Sequence, residues 1–161
     1  MSLPSKPFIA LYGSHLGDWR APLVARLARE GIAHHDPTDA GWQPINEHNG
    51  DAEQATIDAL VAREHEGMVG ATCVVFYLGR RRRQRGPDGE DVELTTSSFA
   101  SRCELGFLTG RGVLTFVYIE PDFEGRNYLW AQIKPYPNAV RCASLDDALD
   151  RAIAAFRALQ P

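Results

Sequence analysis

Short apolar runs alternate with amphipathic segments along the chain. Residues 71–78 and 112–119 are continuous apolar, β-branched and aromatic runs, which is typical of strands buried on both faces of a parallel sheet. Between such runs, apolar residues recur at helical spacing, as Leu23, Val24 and Leu27 do. The predicted strands are 8–12, 32–36, 71–78, 112–119 and 139–142. The predicted helices are 19–30, 51–69, the segment that contains Glu104, 128–133 and 146–159.

The alternation of strands and helices predicts one fold class. Strands separated by helical segments of this length form βαβ units, and their crossovers are right-handed. We therefore expect an α/β, three-layer doubly wound (flavodoxin-like) fold with a mostly parallel five-stranded sheet. Asp18 is the expected N-cap of the first helix, and Gly31 is its expected C′ residue. No linker or repeat divides the chain, so we expect residues 1–161 to form a single domain.

Composition narrows the class of protein. Hydrophobic residues make up 44% and charged residues 24% of the chain, as in globular proteins. The net charge of −4 argues against general nucleic-acid binding. No apolar run approaches the roughly 20 residues of a membrane span, and the N-terminal segment lacks a signal-peptide core. Cys73, Cys103 and Cys142 lie far apart without metal-ligand spacing, which indicates reduced, buried thiols, a cytoplasmic location and no metal site.

Glu104 is the first candidate for chemistry. It is expected in the first turns of a helix that follows a polar run, 95–98, suited to an N-cap. Such a helix begins near the carboxyl end of a strand, where open α/β sheets bind ligands and where a helix N-terminus favours an anion. Apolar neighbours, and glycines at 106 and 110 that suggest close packing, favour a functional glutamate. A solvated glutamate on a helix face is the alternative.

The segment 79–97 is unusually long for a connection. Loops longer than about 12–15 residues are either functional or disordered. Five arginines within 80–85 precede four acidic residues, so the segment could neutralise itself as a hairpin around 87–89. A solvated, mobile loop without a function is one alternative. The functional alternative is a lid in which Arg80–Arg85 bring guanidinium groups to a phosphate.

Four short motifs occur in order along the chain. The first motif consists of residues 9–14 and 18–20, and the second is the turn 36–42. The third is the segment 98–106, which ends in Glu-Leu-Gly at 104–106, and the fourth is the segment 127–130. Together they resemble the nucleoside 2-deoxyribosyltransferase-like superfamily, including its nucleotide N-glycosidase branch, over most of the chain. In that family a glutamate attacks the anomeric carbon of a nucleoside and expels the base.

The resemblance implies catalytic roles for two residues. Glu104 matches the nucleophile, since a carboxylate can form a glycosyl ester and then leave. Tyr12 matches an aromatic hydroxyl that orients the carboxylate, and the alternative is a core tyrosine with a satisfied hydroxyl. No metal or organic cofactor is implied.

The resemblance also implies substrate-binding positions. Ser98 stands where enzymes acting on free nucleosides carry an aspartate for the sugar 5′-hydroxyl, and where nucleotide-cleaving relatives carry a serine for a 5′-phosphate. With Ser101 it favours a phosphorylated substrate, although both serines could be plain helix caps. Glu64 replaces an aspartate near the nucleobase. Asp39, Trp42 and Gln43 are candidates for contact with the base, and a surface-turn role is the alternative for all three. The remaining candidates are Gly13, Ser14 and Asn127, of which Asn127 implies contact with a neighbouring subunit and thus a homodimer or larger homo-oligomer.

The sequence thus predicts cleavage or transfer at the N-glycosidic bond of a nucleoside 5′-monophosphate or nucleoside. A catalytically inactive nucleotide-binding sensor or interaction protein of the same fold is the alternative, favoured by the altered base-side residues and the basic segment. A flavin-binding electron carrier is disfavoured, because the turn 13–17 is not the hydroxyl-rich phosphate loop that such proteins use.

Overall fold

A computed structural model describes residues 6–14, 18–38, 51–79, 83–85, 91–93 and 99–160. The helices are α1 (Arg20–Arg29), α2 (Asp51–Gly70), α3 (Phe99–Gly110), α4 (Arg126–Ile133) and α5 (Leu145–Ala158). The strands are β1 (Ile9–Gly13), β2 (His34–His35), β3 (Cys73–Leu78), β4 (Arg83–Arg85), β5 (Asp91–Glu93), β6 (Thr115–Ile119) and β7 (Ala139–Arg141).

The main sheet has five strands in the order β2-β1-β3-β6-β7, and every neighbouring pair is parallel. The chain leaves β1 for β2 on one side and later returns to β3 on the other side. This reversal places a topological switch point between the carboxyl ends of β1 and β3, where doubly wound sheets bind ligands. The predicted α/β doubly wound class is confirmed.

Two helical layers cover the sheet because its inner strands are apolar on both faces. Alternate side chains point to opposite faces of a strand, so Leu11 and Tyr12 enter different clusters. On the Leu11 face, α1 and α5 pack through Leu23, Leu27 and Ile153. On the Tyr12 face the cluster includes residues of three helices: Met68 of α2, Leu105 and Leu108 of α3, and Leu129 and Ile133 of α4.

The segment predicted as a long loop contains a small antiparallel hairpin of β4 and β5. Its register sets Arg83 opposite Glu93 and Arg85 opposite Asp91. Basic and acidic positions therefore face each other across the ladder, as the hairpin hypothesis expects. The loop alternative is wrong for these six residues, because backbone pairing overrides the weak strand propensity of charged side chains.

Three local predictions have mixed outcomes. Asp18 is not the N-cap of α1: Trp19 takes that position without a side-chain cap bond, and its indole nitrogen instead donates to the Ser14 carbonyl. Gly31 has the positive φ expected of a C′ residue. Cys73 and Cys142 are buried free thiols, whereas Cys103 is exposed because it lies on the outer side of α3. Among the described helices, none is long and apolar enough to cross a membrane.

Candidate active site

Glu104 lies in the second turn of α3 and faces the sheet. Its residue exposure is 7%, and its Oε2 has no hydrogen-bond partner among the described residues. Burial and, to a smaller extent, the charge of Glu64 raise the pKa of Glu104, Arg20 lowers it, and the net pKa is about 8. The solvated-glutamate alternative is wrong. A buried carboxyl with an unpaired oxygen is costly, and such groups concentrate at functional sites.

Gly106 and Gly110 do not explain the burial of Glu104. A Cβ at either position would meet none of the described residues within 4 Å, so the close packing expected there is not provided by them. The packing comes from Leu105 and Leu108, which anchor α3 in the core against the face that carries Tyr12.

Tyr12 is near the end of β1, in the same cluster as Leu105 of α3. Its hydroxyl donates to the main-chain oxygen of Glu64, at 2.9 Å, and not to Glu104. Burial raises the pKa of Tyr12, and the charges of Glu64 and Glu104 raise it further, so the phenol remains a proton donor. In this state Tyr12 is a core tyrosine with a satisfied hydroxyl, and its orienting role stays a prediction.

Glu64 supplies a second carboxyl from α2. The residue is half-buried, and burial raises its pKa while the Arg63 charge lowers it. Because the Glu64 charge also raises the pKa of Glu104, the two carboxyls resist ionising together. The site therefore offers two carboxyl groups of unequal environment, of which Glu104 is the harder to ionise.

Arg20 is a functional candidate that sequence reasoning missed. Its buried guanidinium donates to the carbonyls of Leu11, Gly13 and Ser14 at 3.0–3.4 Å, and it pairs with Asp36 at 3.4 Å. Burial lowers the pKa of Arg20 to about 10, against the opposing effects of Asp36 and Glu104, so it stays cationic. Arginine side chains are mostly exposed, so the residue type predicts a surface position. Only the closeness of Arg20 to the end of β1 in the sequence could have indicated that it is buried.

Gly13 and Ser14 join the ends of β1 and β3. Gly13 has φ of +116°, and a Cβ there would lie 2.0 Å from the Tyr77 carbonyl oxygen. Ser14 donates its backbone N–H to that oxygen, and its Oγ accepts from the Gly79 N–H at 3.0 Å. These contacts hold the carboxyl ends of β1 and β3 together at the switch point. The substrate-binding roles of both residues stay predictions.

The other predicted substrate contacts are divided by the structure. Ser101 is buried on α3, three residues before Glu104. Asn127 is exposed in the first turn of α4, and no described contact joins it to Glu104 or Tyr12. Asp39, Trp42, Gln43 and Ser98 lie outside the described residues. Within the described ranges, no group of three or more His, Cys, Asp or Glu side chains is placed to hold a metal ion.

His35 and Gly67 complete the surroundings of Tyr12, and the sequence analysis singled out neither. The His35 ring is buried 6.0 Å from the Tyr12 ring, and within the described part of the chain its Nε2 has no partner. A Cβ on Gly67 would fall 2.4 Å from the Tyr12 hydroxyl and 2.7 Å from His35 Nε2. A glycine inside a helical pattern was the one available signal of this close approach.

Comparison with known proteins supports the fold. No family model matches the sequence, and no curated protein matches it either. Among solved structures, a 2-deoxyribosyltransferase from the psychrotolerant bacterium Bacillus psychrosaccharolyticus superposes with a TM-score of 0.54 at 12% identity. The alignment covers 92% of this chain and 94% of that chain. The two chains share a fold. The structural neighbour is an enzyme, described as a biocatalyst for nucleoside synthesis.

Proposed function

We propose that this protein cleaves or transfers the N-glycosidic bond of a nucleoside or nucleoside 5′-monophosphate, with Glu104 as the nucleophile. The observation that carries the proposal is the buried Glu104 carboxyl at the switch point of the sheet, whose Oε2 has no partner within the described part of the chain and whose charge acts on Tyr12. The shared fold with a 2-deoxyribosyltransferase supports the same chemistry. A homo-oligomer with Asn127 at the subunit contact and a cytoplasmic location belong to the same proposal.

The proposed reaction has two displacements. The ionised Glu104 oxygen attacks the anomeric carbon, and the base leaves with the electron pair of the C–N bond, taking up one proton. Because the Glu64 charge raises the pKa of Glu104, an ionised Glu104 stands beside an ionised Glu64, and the proton for the leaving base is taken from water. Water or a second base then attacks the glycosyl ester and releases the Glu104 carboxylate.

The substrate's 5′ end is proposed to lie against the start of α3. Ser98 and Ser101 would offer hydroxyl donors there, beside the N–H groups of the first helical turn. Arg20 already holds three carbonyls and Asp36 through Nε, Nη1 and Nη2. In this proposal the guanidinium contact to a phosphate comes from Arg80–Arg85.

The test is a panel of nucleosides and their 5′-monophosphates, with free base detected by chromatography. We expect base release from at least one substrate, and a loss of several orders of magnitude in Glu104→Ala. Glu66→Ala, which removes an exposed glutamate of α2, is the matched control and should retain activity. Turnover by Glu104→Ala at the rate of the unmutated protein would refute the nucleophile assignment.

Substrate preference tests the phosphate subsite separately. We expect higher kcat/KM for monophosphates, and reversal of that preference in Ser98→Asp, because a carboxylate repels the phosphate. Better turnover of nucleosides by the unmutated protein would contradict this reading of Ser98. Replacing the five arginines of 80–85 by serine should raise KM for monophosphates alone, and an unchanged KM would show that the hairpin neutralises itself.

A binding protein without turnover is the second candidate function. It is favoured by the raised pKa of Glu104, since a carboxyl with a pKa of about 8 is mostly protonated at pH 7 and is then no nucleophile. Calorimetric binding of a monophosphate without base release at any pH from 6 to 10 would favour this candidate over the enzyme.

A further inference from the structure

Two buried polar atoms near Tyr12 lack partners in the described part of the chain. They are Oε2 of Glu104, which is 7% exposed, and Nε2 of His35, which is 6% exposed. Buried polar groups are almost always hydrogen-bonded, because water is not available to replace a missing partner. Two such atoms around one hydroxyl indicate a hydrogen-bond network that is incomplete in this state.

Gly67 shows how close His35 and Tyr12 come to each other. The Tyr12 hydroxyl oxygen and His35 Nε2 lie 2.4 Å and 2.7 Å from one point, the position that a Cβ on Gly67 would occupy. The absence of that side chain lets α2 press against both groups. These two distances place the imidazole nitrogen no more than about 5 Å from the phenol oxygen, so a change of the His35 side-chain rotamer is the movement that the proposed bond requires.

We propose that His35 is a positioning residue that donates from Nε2–H to the Tyr12 oxygen, so that the Tyr12 hydroxyl turns from the Glu64 carbonyl to the ionised Glu104 carboxylate. The proposal rests on the function proposed above, in which Glu104 reacts as an anion. In this arrangement His35 Nε2 bonds to the Tyr12 oxygen and Glu104 Oε2 accepts from the Tyr12 hydroxyl, so both buried atoms gain a partner. The hydroxyl proton of Tyr12 takes part in one hydrogen bond.

The charges around the two groups agree with this chain of bonds. Burial lowers the pKa of His35, Arg63 and His34 lower it further, and Asp36 opposes them. The imidazole is therefore neutral at pH 7 and carries one ring proton to give.

Around Glu104, the Glu64 charge disfavours ionisation and the Arg20 charge favours it. Arg20 directs its Nε, Nη1 and Nη2 toward main-chain carbonyls and Asp36, whereas the Glu104 charge acts on the Tyr12 hydroxyl, which we take as the donor to the anion. A donor that itself accepts a hydrogen bond is a stronger donor, which is the contribution of His35.

The test measures the ionisation of Glu104 without using turnover. The stability difference between each variant and the same variant carrying Glu104→Gln is followed from pH 5 to pH 10, which gives the apparent pKa of Glu104. His35→Phe keeps the aromatic contacts to Phe8 and Tyr12 but removes the donor. We expect it to raise the apparent pKa of Glu104 by about one pH unit, whereas His35→Gln, which keeps a donor, stays near the unmutated value.

Tyr12→Phe provides the second arm, because the effect of His35 passes through the Tyr12 hydroxyl. In that background, His35→Phe should leave the apparent pKa of Glu104 unchanged. On the unmutated protein, ring 15N shifts should report the Nε2–H tautomer of His35 and should change as Glu104 ionises. This measurement decides the matter if His35→Phe does not fold.

An unchanged Glu104 pKa in folded His35→Phe, or the Nδ1–H tautomer at pH 6 and pH 10, would overturn the assignment of His35. Failure of the proposed function looks different: no base is released from any substrate, while the pKa shift is still observed. If base is released, His35→Phe should also shift the midpoint of the kcat/KM pH profile to higher pH, by the same amount as the apparent pKa of Glu104. It should lower kcat more than it changes KM.

Discussion

Because the pKa of Glu104 is raised, we expect Glu104→Gln to become more stable than the unmutated protein as pH rises. The folded protein holds the Glu104 proton up to about pH 8, whereas a glutamate in the unfolded chain loses it near the ordinary value of 4.5. Between these values the folded state binds more protons, so the free energy of unfolding falls as pH rises. The stabilising contribution is complete below pH 4.5 and is lost as pH approaches 8. Glu104→Gln cannot ionise and should escape this loss.

The magnitude follows from the width of that interval. Each pH unit corresponds to about 1.4 kcal/mol, so from pH 5 to pH 8 the advantage of Glu104→Gln over the unmutated protein should grow by about 3–4 kcal/mol. Taking the change between two pH values cancels any constant cost of placing an amide in the site. Urea unfolding followed by circular dichroism, at constant ionic strength, measures each free energy of unfolding.

Glu66→Gln is the matched control, because it removes an exposed glutamate that water solvates in both folded and unfolded states. Its advantage over the unmutated protein should change little between pH 5 and pH 8. If the advantage of Glu104→Gln is equally constant, the carboxyl is ionised within the folded protein at neutral pH, and the argument from burial is refuted.

Three further predictions concern the same site. The kcat/KM for base release should rise with pH and level off above about pH 8, because only the ionised Glu104 attacks; a profile that is flat from pH 6 to pH 9 contradicts this. Gly67→Ala should destabilise the protein by about 1–3 kcal/mol in urea unfolding, since its Cβ would overlap Tyr12 and His35, whereas Gly106→Ala, with open space around its Cβ, should be neutral or stabilising. Arg20→Met should cost about 3 kcal/mol by removing the buried ion pair with Asp36 and the hydrogen bonds to three carbonyls, whereas exposed Arg29→Met in the same helix should cost little; equal losses would show that the Arg20 contacts do not stabilise the fold.

The fold was predictable wherever burial dictated residue type. The apolar run 71–78 contains β3, and the amphipathic segment 146–159 closely matches α5, because both elements bury a face that only apolar side chains can fill. The hairpin was offered only as one alternative to a loop. Its two strands have three, mostly charged residues each, so neither shows the apolar pattern of a strand. Each is formed by pairing with the other, which the residues of one strand alone do not reveal.

The candidate site was predictable only in part. The position of Glu104 in a helix after β3 followed from the pattern, and its burial followed from its apolar neighbours. The bond from Tyr12 to the Glu64 carbonyl could not be predicted, because main-chain oxygens leave no mark in a sequence. The burial of Arg20 and His35 could not be predicted either. Both residue types are usually exposed, and their burial depends on tertiary contacts that the local sequence does not show.

The main sheet ends in two very short strands, and this affects how copies of the chain could associate. β2 contains two residues and β7 contains three, so either edge offers few free backbone groups to an approaching strand. A continuous intermolecular sheet, of the kind that begins fibrillar aggregation, would gain little pairing energy from them. Among the described elements, substitutions on exposed helix faces should therefore affect the association of copies more than substitutions at either edge of the main sheet.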